Sequence, residues 1–307
     1  MVEQFMNVQV LAASAVAAVI GCLFIVVAAF SGVSNSSGEQ FFNCQCDSAI
    51  GPDPSATTTT TAGSTPCDSD EEWEPSDVPS TNPLVSMTVA PGETEISDYH
   101  RACMSAIASG APPLQTPALR NANTGFAVDC SRELAYAQVG KQAGGPDAAQ
   151  GEVIRDLVYA ASAAVPTGRC IAPADGTVSG STGSASPSAQ SGYTMPTGSC
   201  AQTADQQTAV YLPNTVAGQA LCGQRVRLGA VSPGDLVFWD YRDNAPTRVG
   251  IAVEHTRVTA TDADTGEFVA GLMRVVAVDP ATGEFTLLDV PSDSDARAKR
   301  VLAGAAN

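Results

Sequence analysis

The chain has 307 residues, 32 acidic against 15 basic side chains, a formal net charge of -17 and nine cysteines. That charge balance, with lysine at positions 141 and 299 only, excludes a nucleic-acid partner, since phosphate backbones are recognised by clustered cations. The length allows one or two domains, and nine cysteines point to an oxidising compartment.

No Lys or Arg precedes Arg101. After a short N-terminal tail (1–7), the uncharged apolar run Val10 to Phe30 predicts a membrane anchor over 8–31, because about 20 apolar residues at 1.5 Å rise span a bilayer core. A cleaved signal peptide is the competing reading, with a small-x-small site at Ala29-Phe30-Ser31. The run is long for a signal core and lacks a basic flank, which favours the anchor. The acidic remainder, free of positive charge near the anchor, is expected outside the cell, giving a single-pass membrane protein with an extracellular C-terminal domain.

Residues 32–95 contain Thr57–Thr61, scattered prolines and an acidic patch from Asp68 to Glu74, with no apolar period. This predicts a disordered acidic linker. From 96 to 291 the pattern is that of a folded domain. Asp98 to Ala108 reads as a helix. Asp129 is placed to cap a helix running to about Gln142, and Pro146-Asp147 starts another with Ile154, Leu157, Val158 and Ala161 on one face. Residues 171–199, mostly Gly, Ser, Thr, Ala and Pro, read as an inserted loop.

Beyond Ala209 the chain is β-like. Strands are expected over Leu236–Tyr241, Val249–Glu254, Val258–Thr261, Phe268–Met273, Arg274–Val278 and Phe285–Val290. Asp264-Thr265-Gly266-Glu267-Phe268 and Ala281-Thr282-Gly283-Glu284-Phe285 echo one another as turn-plus-strand units. Residues 292–307 read as a C-terminal tail or short helix. Helices first and antiparallel strands after predict an α+β domain.

Two blocks carry the chemistry. Asp129-Cys130-Ser131 opens a predicted helix, where free N–H groups and the positive dipole end favour a thiolate. About 100 residues on, Ser232-Pro233-Gly234-Asp235-Leu236-Val237-Phe238-Trp239 leads into Arg248-Val249-Gly250-Ile251. In this order the blocks resemble the signature of the NlpC-type cell-wall cysteine peptidases, which are papain-like and related to CHAP amidases. The resemblance covers roughly 98–260. It implies that Cys130 attacks an amide of a peptidoglycan stem peptide, with backbone N–H groups at the helix start holding the oxyanion. It also implies that Asp129, Ser131 and Trp239 line the substrate groove, and that a His precedes Val249.

Arg248 stands where that His is expected, and a guanidinium stays protonated at any physiological pH, so it is no general base. His255 and His100 are the chain's only histidines. His255 lies seven residues past Arg248, over about 20 Å along a straight strand and on the other face. A thiolate favoured by Arg248 charge, with His255 brought in by a bulge, is the catalytic arrangement left open. Pairing of Cys130 in a disulfide is the alternative and removes the nucleophile.

The expected function is therefore twofold. One reading is a peptidoglycan stem-peptide hydrolase, degenerate at Arg248. The other is a non-catalytic component that binds the cell wall or an envelope protein in an envelope or secretion assembly. No cofactor is implied. Cys44-Gln45-Cys46 has the wrong spacing for zinc. Cys170 and Cys200 bracket the 171–199 loop and are expected to pair.

Overall fold

A computed structural model describes residues 36–55, 67, 82–89, 93, 94, 96–115, 117–143, 148–170 and 212–302. The chain separates into two compact units, Met1–Asn43 and Cys44–Asn307. Of the first, only residues 36–43, the opening half of a helix, are described; the sheet and the helices packed on it belong to the second. The anchor expected at 8–31, the loop at 171–199, Cys22 and Cys200 lie outside the described residues. Among those described, no helix is long and apolar enough to cross a membrane.

The α+β order is as expected. Among the described residues five α-helices precede the strands: α1 (Ser36–Ile50), α2 (Asp98–Gly110), α3 (Phe126–Tyr136), α4 (Ala148–Ala164) and α5 (Val216–Ala220). The strands are β1 (Gln224–Val226), β2 (Leu236–Arg242), β3 (Ala245–Ala252), β4 (Arg257–Thr261), β5 (Phe268–Val278), β6 (Phe285–Pro291) and β7 (Arg297–Arg300). They form one antiparallel sheet in the order β1-β7-β2-β3-β5-β4, with β6 also on β5.

Period-two alternation divides the sheet residues between two buried faces. Val226, Val237, Ala252, Met273, Val275, Ala277, Val290 and Ala298 share one cluster, to which none of the five α-helices contributes. Leu236, Phe238, Val249, Ile251 and Val276 point the other way and are fully buried. There α3, α4 and α5 pack against β3, supplying Leu134, Ile154, Leu157 and Val158. Burying both faces explains why these strands read as near-continuous apolar runs.

The turns follow local chemistry. Asp243 and Asn244, with φ of 50° and 60°, join β2 to β3 as the two central residues of a hairpin in which Arg242 pairs with Ala245. Both echoing segments make the same turn. The N–H groups of Asp264 and Thr265 donate to Asp262 Oδ1, and that of Ala281 donates to Asp279 Oδ1. Gly266 and Gly283 come next at φ of 71° and 72°.

Several expectations are corrected. The first half of the presumed linker contains α1, tied down by Cys46–Cys103 and by buried polar contacts. Cys44 pairs with Cys67, and Pro83–Ser86 forms a 3-10 turn capped by Asn82. The 292–307 tail contains β7, placed between β1 and β2. The strands expected at 268–273 and 274–278 are the single strand β5. Where the pattern after Ala209 predicts strand, the first described element is the short helix α5, capped by Thr215.

Candidate functional site

Helix α3 begins at Phe126, with Gly125 as its N-cap at φ 119°. The expected cap, Asp129, is already in the helix, and its N–H donates to the Gly125 carbonyl. A glycine reaches that φ without a Cβ clash, so the helix starts four residues earlier than the Asp signal indicates, the N-cap being Gly125 in place of Asp129. Cys130 accordingly lies in the second turn, where its N–H is committed to the i-4 carbonyl rather than free for an oxyanion.

The Cys130 side chain is buried and its sulfur is bonded to Cys170. This replaces the expected Cys170–Cys200 pair. The end of α4 carries Cys170 back over α3, so it meets a cysteine 40 positions earlier rather than one across the inserted loop. Cys222 is also disulfide-bonded. A disulfide sulfur has no thiolate to offer.

Arg248 stacks on Trp239, with its guanidinium carbon 5.3 Å from the ring centroid, and donates from Nη2 to the Val278 carbonyl at 2.5 Å. The two residues are directly paired across β2 and β3. By alternation Arg248 shares a face with Gly250 and Ala252, the face away from the helices. Cys130 belongs to a helix on the other face. The cation and aromatic ring thus form a cross-strand pair of their own.

Asp129 is exposed and pairs with Arg132 at 3.3 Å. Ser131 is fully buried, and its hydroxyl donates to the Val128 carbonyl. A Cβ on Gly234 would come within 2.7 Å of that hydroxyl, so glycine is required where the Pro-Gly-Asp turn crosses α3. Asp235, also fully buried, accepts from the Ser232 N–H and from Nε and Nη2 of Arg300, each at 2.9 Å. Burial pushes its carboxyl up, opposed by Arg300 and by the nearby His255. His255 is exposed beside this turn. Ser131, Gly234, Asp235 and His255 are therefore neighbours, whereas Trp239 and Arg248 are a separate pair.

A second constellation escaped the sequence reading. Arg225 on β1 lies directly opposite Lys299 on β7, and Arg297 is two positions from Lys299 on the same face. Asp47 of α1 lies over them. It accepts from Arg225 Nη1 at 2.9 Å, from Arg297 Nε at 2.8 Å, and from Arg297 Nη2. Burial alone would raise the Asp47 carboxyl, but Arg297 and Arg225 outweigh it and hold it below its ordinary value. Lys299 is 1 % exposed, with Nζ hydrogen-bonded to Ser48 Oγ at 2.5 Å and Gln115 Oε1 at 3.3 Å. Burial, then the adjacent Arg225, lower its pKa to about 7.

Tyr99 donates to the Gly51 carbonyl at 2.7 Å, and Tyr241 packs under Gly51, whose Cβ would strike its ring. Tyr241 has the parity of Trp239 but turns toward α1, because Asp240 between them has φ 56°. The sequence signal for this cluster is the alternation Arg297-Ala298-Lys299, which reads as a strand with one cationic face. Among the described residues, no three His, Cys, Asp or Glu side chains converge as a metal site.

No protein-family model, curated protein or solved structure matches the chain.

Proposed function

We propose that the chain is an exported protein, held in the cell membrane through residues 8–31, whose extracellular domain is a degenerate papain-like NlpC-type module. It binds peptidoglycan or an envelope protein partner as part of an envelope assembly and does not cut it. One observation carries the choice against hydrolysis: the sulfur that would be the nucleophile is bonded to Cys170. The side chain in the place of the base agrees with it, since Arg248 is a permanent cation already stacked on Trp239. The disulfides Cys44–Cys67, Cys46–Cys103 and Cys130–Cys170 and a packed α+β core suit a rigid binding domain outside the cell.

The test is incubation of the full chain, in detergent, with purified peptidoglycan sacculi, with and without a thiol reductant. Co-sedimentation without release of soluble stem-peptide fragments in either condition is expected. No co-sedimentation, with selective capture of one envelope protein, assigns the domain to a protein partner instead. Fragment release that disappears in Cys130→Ala would overturn the non-catalytic reading and restore the hydrolase, with Cys130 as nucleophile and Asp129, Ser131 and Trp239 as groove residues to map next.

A further inference from the structure

The helix-facing side of β1 and β7 collects three cations around one carboxylate. Arg225 and Lys299 are cross-strand partners, Arg297 lies on the same face, and both arginines already claim Asp47. The hydrogen bonds of the Lys299 amine go to neutral oxygens, Ser48 Oγ and Gln115 Oε1. Gln115 is itself fixed, its N–H and carbonyl bonded to the Gln45 side chain and its Oε1 accepting from the Arg225 N–H at 2.9 Å. Tyr99 from α2 and Tyr241 from β2 also face the cluster, both pushed up by burial and so neutral across the physiological range, and the carboxylates of Asp53, after α1, and Asp295, before β7, act on those two tyrosines. From β2, the residue opposite Lys299 is the apolar Leu236. A charged amine here is desolvated and faces a like charge directly across the strand pair; Asp47 favours its charge, but that carboxylate is already hydrogen-bonded to both arginines and does not offset the other two effects.

We propose that the seat of α1 on β7 is a pH-dependent latch, held closed by the uncharged Lys299 amine and opened more often as that amine gains a proton. The device serves a binding domain and a hydrolase equally and does not rest on the choice between them.

Its pH sense follows from linkage. Lys299 has a lowered proton affinity when the seat is closed and regains the ordinary lysine value when it opens to water. The open form then binds the extra proton between the two values. Closure strengthens as pH rises above about 7 and reaches a low plateau once the closed form is protonated too. From the value near 7, opening increases about tenfold between pH 8 and pH 6 and levels off below.

The test is hydrogen–deuterium exchange of the full chain in detergent, corrected for intrinsic pH dependence, tracking peptides that span 44–51 and 297–301. The expected result is about tenfold faster opening at pH 6 than at pH 8, and no such dependence in Lys299→Met. Equal protection at both pH values in the native chain, or an unchanged dependence in Lys299→Met, overturns the latch. Should that variant not fold, carbon-13 labelling of lysine decides with the native protein alone. The chain has only Lys141 and Lys299, so one ε-carbon signal should titrate near neutrality. Titration of both above pH 10 overturns the proposal.

Discussion

Cys130 and Asp47 show how one residue's chemistry is set by what reaches it. For Cys130, iodoacetamide under native, non-reducing conditions should leave the residue unmodified from pH 5 to 9, and a peptide map should return it linked to Cys170. Cys130→Ser removes a cross-link closing a loop of 40 positions, which costs about 4 kcal/mol in the chain-entropy model and lowers the urea midpoint. For Asp47, the two arginines more than offset desolvation, and removal of the carboxylate leaves both cations buried without it. Asp47→Asn should cost roughly 3–5 kcal/mol, measured by equilibrium urea unfolding at pH 7. Because the folded carboxyl sits below its ordinary value near 4, its contribution is complete above that value and fades as pH falls further. The native protein should therefore lose stability on acidification below about pH 4, while Asp47→Asn loses less.

At the scale of elements, local chemistry was legible where it was self-contained. The Ile154, Leu157, Val158 and Ala161 spacing gave α4, and all four residues are fully buried. The Asp-x-x-Thr-Gly turns form because an Asp carboxylate bonds the N–H two residues on, and at Asp262 the one three residues on as well, which needs no tertiary partner. The β2–β3 turn is of the same kind. Its central residues both have positive φ, a conformation open to Asn and Asp but costly for a β-branched side chain. Asn244→Val should destabilise by about 1–2 kcal/mol, while Asn244→Gly should shift the urea midpoint little. What misled was competition between signals. Asp129 is a good N-cap type, but Gly125 and the apolar Phe126-Ala127-Val128 extend α3 upstream past it. That displacement moves Cys130 from a helix end, where N–H groups are free, to a turn where they are used. That Cys130 belongs to a helix was thus legible, and the state of its sulfur was not.

Across the whole molecule, the misread parts are those stabilised by distant partners. α1 looked like linker because its anchors, Cys103, Gln115, Arg225 and Arg297, lie between 57 and 250 positions away. β7 looked like a tail because four residues of Arg-Ala-Lys-Arg have little strand propensity. Its place is decided by pairing on both sides, Ala298 opposite Val226 on β1 and opposite Val237 on β2. Arg300 then reaches back to the buried Asp235. Removing β7 therefore does more than shorten the chain. It leaves β2 with an open edge, detaches β1, strips Asp235 of its cation and takes away two of the three cations beneath α1. Truncation before Asp295 should abolish the cooperative urea transition. A folded, cooperative product of that truncation would show that the remaining sheet, and not the strand inserted last, holds the domain together.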